Sequence, residues 1–152
     1  MALSTLMCNR KSRESQLGLQ QRVWQRLAEE VCVVILNCAL VHWVYPYSNL
    51  KPANVQGTLD ILALCAAGGP KQLTFVSSTS VLDTPYYVQL SVKPIESGGD
   101  GVSEEDDLSG SATGLGNGYG QSQWVSEYLV RIVGSRGPLY DQATSLVTWN
   151  MV

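Results

Sequence analysis

A chain of 152 residues, 45% hydrophobic and 15% charged, is sized and composed for a single globular domain with its own core. A formal net charge of -3 supplies no basic footprint for nucleic acid, and the run Glu104-Glu105-Asp106-Asp107 is short enough to be a solvated loop. Four cysteines without Cys-x-x-Cys spacing and a single histidine argue against a metal site, so reduced thiols in a cytoplasmic protein are expected.

In chain order, residues 1–16 carry Arg10, Lys11 and Arg13 after a weakly apolar start, without the long apolar centre of a signal peptide. A mitochondrial presequence and a divergent start both stay open. Val23, Leu27 and Val31 recur at helical spacing and predict a first helix. Val31–Leu36 is a continuous, β-branched apolar run, the pattern of a parallel strand buried on both faces. The apolar stretch from Val31 to Val44 is broken by Asn37 and His42 and is too short to cross a bilayer. Val55, Leu59, Leu62 and Cys65 predict a second helix over 52–67, starting near Pro52 and stopped by Gly68-Gly69-Pro70. A second buried strand is expected at 73–77. Strand, helix and strand of these lengths imply a βαβ crossover in a parallel sheet. Residues 83–118 lose periodicity and read as a long surface excursion, poorly ordered over 90–117. A third helix over 119–133 carries Trp124, Val125, Tyr128, Leu129 and Ile132 on one side. Residues 138–152 show no pattern and stay unassigned. The expected architecture is a three-layer α/β piece, part of a doubly wound, Rossmann-like parallel sheet, occupying 17–137.

Doubly wound sheets hold ligands at the carboxyl ends of their strands. Two such ends are readable, Asn37-Cys38-Ala39 and Ser77-Ser78-Thr79-Ser80, followed by the helix that bears Tyr119. Tyr119 and Gln123, four residues apart, share a helix face. Tyr-x-x-x-Lys reductases use that face to present a proton-donating phenol and the ammonium that acidifies it. Taken alone, Ser77–Ser80 is better read as a polar strand exit satisfying its own backbone. The order strand, hydroxyls, loop and tyrosine helix favours a site in which Thr79 and Tyr119 address a substrate carbonyl and a nicotinamide supplies hydride.

Four blocks extend this pattern: Ala39-Leu40-Val41-His42-Trp43-Val44-Tyr45-Pro46-Tyr47, Asn54-Val55-Gln56-Gly57-Thr58, Phe75-Val76-Ser77-Ser78-Thr79-Ser80-Val81 and Thr113-Gly114-Leu115-Gly116-Asn117-Gly118-Tyr119-Gly120-Gln121-Ser122. Through them the chain resembles the thioester reductase domain of the extended short-chain dehydrogenase/reductases, most nearly that of the aminoadipate reductases and some nonribosomal peptide synthetases, over about 17–137. The resemblance implies NADPH as cofactor and reductive release of an acyl chain, as an aldehyde, from a phosphopantetheine carrier domain. It serves lysine biosynthesis in the aminoadipate enzymes. By the same resemblance Thr79 and Tyr119 are catalytic, Gln123 stands where lysine is usual, and Asn37, Cys38, Ala39, Ser77 and Ser78 line the cofactor. Cys38 replaces a glycine or alanine.

The resemblance also implies a central fragment without the first strand, its glycine-rich pyrophosphate turn or the C-terminal substrate region. Thr113–Gly120 fits the Thr-Gly-x-x-x-Gly-x-Gly spacing of such a turn, but the acidic and small residues before it are no buried strand, so a helix-entry loop is expected instead. Gln123 can hydrogen-bond but brings no positive charge to Tyr119, and the expectation is an inactive chain. The alternative is a non-catalytic Rossmann-like remnant that acts through protein–protein contact at its sheet edge. A dinucleotide sensor that has lost catalysis is a third reading, disfavoured by the absent glycine turn. His42 reads as a hydrogen-bonded loop histidine in preference to a catalytic base, Trp24 and Trp124 read as packing residues, and Trp43, Tyr45 and Tyr47 are either loop packing or the wall of an acyl or pantetheine channel.

Overall fold

The computed structural model describes residues 15–97, 101–103, 105–135 and 146–150. Its elements are α1 (Gln21–Glu30), β1 (Val33–Leu36), α2 (Tyr47–Ala66), β2 (Gln72–Ser78), α3 (Pro85–Ser97), α4 (Gly118–Ser135) and β3 (Leu146–Asn150). Short 3₁₀ turns cover Ser15–Gly18, Thr79–Leu82 and Ser109–Ser111. The strands form one parallel sheet in the order β1-β2-β3, with Val34 beside Leu73, Leu36 beside Phe75, and Phe75 in turn beside Val147. This is the expected α/β class with the expected parallel pairing of the first two strands. Among the described residues no helix is long and apolar enough to cross a membrane.

One core lies on one face of the sheet. Trp24, Leu27 and Ala28, spaced to share a face of α1, meet Ile61, Leu62, Leu64 and Cys65 of α2, Val130 of α4, and Leu36, Leu73 and Phe75 of the strands. Strand alternation puts Val33 and Ile35 on the other face, and there they are 43% and 68% exposed. The expected burial of β1 on both faces, and with it the third layer, is therefore corrected among the described residues. The apolar run alone could not tell a strand covered twice from one covered once.

Three further expectations change. Helix α2 begins at Tyr47, not near Pro52, because Pro46 stands outside as the cap and Pro52 is absorbed within the second turn. The missing Pro52 amide leaves only the carbonyl of exposed Ser48 without its helical partner, so the interruption is tolerated. The 83–118 excursion holds α3 and a small core of Val81, Tyr87 and Leu108, with Leu82, Leu90, Val102 and Trp124 packed around it. The expected disorder over 90–117 is thus replaced, in the described residues, by polar anchoring. The Tyr87 hydroxyl donates to the Asp106 carboxylate, Trp124 Nε1 donates to the Leu108 carbonyl at 2.9 Å, and Ser111 Oγ donates to the Val81 carbonyl. Burial and the Asp106 contact push the Tyr87 phenol above its ordinary range. Residues 146–150, unassigned from sequence, form β3.

A buried lysine ties two helix ends together. Lys71, 3% exposed, donates from Nζ to the carbonyls of Ala28 (2.6 Å), Ala67 (2.6 Å) and Gly69 (2.9 Å). These are carbonyls at the ends of α1 and α2, where the helix dipole favours a cation. Gly68 allows the approach: its φ is +72°, and a Cβ there would stand 2.2 Å from the Ala28 oxygen. Replacing Lys71 by leucine strands three carbonyls and is expected to cost about 3 kcal/mol, seen as a lower urea midpoint at unchanged slope.

Burial pushes the Cys65 thiol from 9.0 up to about 11, with Lys71 pulling weakly the other way. At about pH 8, a disulfide reagent is expected to label exposed Cys32 in the native protein and Cys65 only after unfolding. The folded thiol keeps its proton where the unfolded one loses it. Its contribution to stability is therefore complete below pH 9.0 and declines as the pH rises toward 11, which urea titrations across that window would register.

Candidate active site

Helix α4 opens with an asparagine cap: Asn117 Oδ1 accepts the Gly120 amide at 2.7 Å, and the Asn117 carbonyl accepts the Gln121 amide at 3.1 Å. The glycines on either side of Tyr119 are there for contact. A Cβ on Gly118 would lie 2.4 Å from the Tyr45 oxygen and 2.5 Å from the Tyr47 nitrogen; on Gly120 it would lie 2.7 Å from the Ser80 oxygen. The start of α4 is thus wedged between the loop that follows β1 and the turn that follows β2. That wedge carries Tyr119 to the carboxyl end of the sheet, where Thr79 opens the 3₁₀ turn.

Tyr119 is buried at 7% exposure and Gln123 at 5%; Gln123 Nε2 donates to the phenol oxygen at 3.0 Å. With a lone pair so occupied, the phenol's own hydrogen is left to be donated elsewhere. The Trp43 ring stands edge-on to that of Tyr119, centroids 5.8 Å apart and planes at 68°. Thr79 is half-buried. Asn37 and Cys38 are exposed and Ala39 half-buried, at the open end of β1. The structure therefore brings Thr79, Tyr119 and Gln123 to one end of the sheet, with Asn37–Ala39 on the adjoining strand exit.

The two serines have structural partners. Ser77 Oγ, 4% exposed, donates to Glu127 Oε2 at 2.5 Å. Ser78 Oγ accepts the Ser80 amide at 3.2 Å, capping the turn as a polar strand exit does. Glu127, fully buried, accepts from Arg131 Nε and Nη2 at 2.9 and 2.7 Å, so the carboxylate has a counter-charge and every neighbour it needs.

Sequence reasoning missed two residues. Asn54 Oδ1 accepts the Leu40 amide at 2.7 Å, while its Nδ2 donates to the Leu40 carbonyl at 3.1 Å and to Ser122 Oγ at 2.9 Å. One buried amide thereby locks the loop after β1 to both α2 and α4. Glu127 is the other. Asn54 was visible as the first residue of an Asn-Val-x-Gly-Thr block, though its bonding was not; a lone glutamate on an amphipathic helix gave no signal. The Thr113–Gly120 stretch leads into α4 from a 3₁₀ turn and not from a strand, and the α-carbons of Gly118 and Gly120 are covered by protein. It is a helix entry.

Residues 11–140 match the family described as male sterility protein, an NAD-binding family. Over 122 residues the chain is 60% identical to the L-2-aminoadipate reductase large subunit of Penicillium chrysogenum, covering 80% of this chain and 9% of that protein. Among solved structures, the terminal R domain from the myxalamid PKS-NRPS biosynthetic pathway superposes with a TM-score of 0.67 at 37% identity, covering 83% of this chain and 29% of that one. The reductase domain of a nonribosomal peptide synthetase from Mycobacterium tuberculosis does so with 0.61 at 26%, covering 91% and 29%. The chain thus spans about a tenth of the curated relative and under a third of either solved chain.

Substituting Asn54 by alanine removes three hydrogen bonds and strands both polar groups of Leu40. The expected loss is about 3 kcal/mol, and the Leu40 amide should lose its protection in native-state hydrogen exchange, as the Gln72 amide in the sheet should not.

Proposed function

Because this chain belongs to the NAD-binding family of male sterility proteins, we propose that it is the carbonyl-reducing centre of an NADPH-dependent, aminoadipate-type thioester reductase acting in the cytoplasm. The observation that carries this reading is the wedge at the start of α4, which sets a phenol held by Gln123 beside the exits of two parallel strands. The names of the relatives, aminoadipate reductase and a PKS-NRPS terminal domain, support an acyl thioester on a carrier as the substrate.

A nicotinamide held at these strand exits would supply the hydride that the thioester carbonyl carbon takes up in the proposed reaction. Tyr119 hands its proton to the carbonyl oxygen while Thr79 donates a second hydrogen bond there; the carbon–sulfur bond then breaks as that hydroxyl proton passes to the departing sulfur, releasing aldehyde and thiol. Gln123 orients the phenol from behind. The exposed Asn37 side chain and the backbone of 38–39 fit the adenosine side of the cofactor. The glycines of 113–120 do not fit its pyrophosphate, since two of them are spent on packing. Gln123 supplies a neutral donor where a lysine would place a charge, which lowers proton donation by roughly 10²–10⁴. On these two counts the protein is proposed to be inactive as it stands.

A second reading rests on the open sheet face: a non-catalytic remnant would use β1, with Val33 and Ile35 exposed, to bind another protein. A stoichiometric complex formed without dinucleotide affinity would favour it.

The Gln123→Lys substitution separates the defects. In the 152-residue chain it is expected to restore nothing. In a chain extended to supply a glycine-rich strand-turn and the remaining substrate region, it should raise NADPH-dependent aldehyde release by at least about a hundredfold. Turnover by the unmodified chain, or no gain in the extended one, would reject this account of Gln123.

A further inference from the structure

Resting on the thioester reductase reading, we infer that Ser77 and Glu127 are positioning residues for that chemistry: their buried hydrogen bond, backed by Arg131, sets where the exit of β2 stands along α4. Tyr119, Gln123 and Glu127 follow one another at four-residue spacing on successive turns of α4, and all three are buried, at 7%, 5% and 0% exposure. The first two are the phenol and its hydrogen-bond partner. The third reaches the sheet. Ser77 Oγ donates to Glu127 Oε2 at 2.5 Å, the one side-chain hydrogen bond between α4 and β2 among the described residues.

Thr79 opens its turn two residues after Ser77, and Ser80 follows with its carbonyl so close to α4 that a Cβ on Gly120 would stand 2.7 Å from it. The exit of β2 is therefore pinned to α4 at two points, by a hydrogen bond at Ser77 and by backbone contact at Ser80, with Thr79 between them. The contact at Gly120 stops the two backbones from closing further, but it does not stop them from sliding or parting. A hydrogen bond is directional and resists both. Ser77 thus acts on the site through the chain that leads to Thr79, with its own hydroxyl already committed.

Ionisation makes the pin stiff. Glu127 divides its two oxygens: Oε1 accepts from Arg131 Nε at 2.9 Å and Nη2 at 2.7 Å, which leaves Oε2 to Ser77. A slip of α4 along β2 would strand Oε2 out of water on a charged group, whereas a neutral pair would lose an ordinary hydrogen bond. Glutamine is no substitute, because its single carbonyl oxygen cannot serve both the hydroxyl and the guanidinium. Arg131, with a quarter of its side chain exposed, brings the counter-charge that lets the carboxylate be buried.

The test reads each substitution on the opposite element. In the 152-residue protein, Ser77→Ala is expected to shift the backbone amide resonances of Tyr119 and Gly120, and Glu127→Gln those of Thr79 and Ser80. Ser77→Ala removes one hydroxyl and leaves the Glu127–Arg131 pair whole, so it serves even if Glu127→Gln fails to fold. In the extended Gln123→Lys chain, Ser77→Ala should lower kcat about tenfold or more at unchanged KM. The solvent deuterium isotope effect should grow as proton transfer from Tyr119 slows, and Ser77→Thr, which keeps the hydroxyl, should recover most of the rate. A residue that served stability alone would change the fraction folded and neither the isotope effect nor the amide shifts on the opposite element. Unmoved Tyr119 and Gly120 amides in Ser77→Ala, a loss of kcat without a change in isotope effect, or Ser77→Thr no better than Ser77→Ala would overturn the proposal. An extended chain that releases no aldehyde with Ser77 in place would reject the reductase reading, and the amide shifts would then decide by themselves whether this bond sets the register of α4 on β2.

Discussion

Two absent side chains govern this molecule. At Gly118 and Gly120 backbone meets backbone so closely that a single methyl group would collide with the carbonyls of Tyr45 and Ser80. Tyr119, between them, is fixed against the two strand exits by that approach. The 45–47 loop is fixed by its other side. A larger residue at either glycine would push α4 outward, carrying Tyr119 away from the turn that Thr79 opens and from the loop that carries Trp43. Local packing thus sets the relation among all the groups to which chemistry is assigned.

Around the wedge the interior is polar, and its polarity is resolved group by group. Asn54 joins loop, α2 and α4; Ser126 Oγ bonds the Ser122 carbonyl at 2.9 Å; Ser77 and Arg131 meet on Glu127. Such a network specifies one arrangement, because any slip between α2 and α4 leaves a buried donor or acceptor unpaired. The apolar core, from Trp24 to Phe75, provides driving force without comparable register. Lys71 plays the specifying part for the ends of α1 and α2. Helix α4 shares in both regimes, burying Val130 in the apolar core while Ser122, Ser126 and Glu127 face the polar one.

The residues of the candidate site were legible in the chain, but most of their bonding was not. Tyr119 and Gln123 share a face by helical periodicity alone, and the structure adds only the 3.0 Å hydrogen bond between them. Ser78 could be read as a cap for its own turn from the run of hydroxyls. Ser77 could not be assigned to Glu127, fifty residues away, since no local pattern encodes that pairing. The excursion was misread for a similar reason. Gly, Ser and acidic residues look patternless until Tyr87, from α3 inside it, and Trp124, from α4 beyond it, find Asp106 and Leu108.

What the sequence determined by itself is what depends on neighbours in the chain: the order of α1, β1, α2, β2 and α4, the stop at Gly68–Pro70, the helix entry ahead of Tyr119 and the shared face of Tyr119 and Gln123. Periodicity and backbone sterics act over a few residues and can be read there. Only the tertiary structure decided which face of β1 is covered, that residues 146–150 pair with β2, and which of the many polar side chains are spent on holding the site. Burial and hydrogen-bond satisfaction depend on what arrives from elsewhere in the fold, and an apolar strand or a lone asparagine carries the same letters whether its partner comes or not.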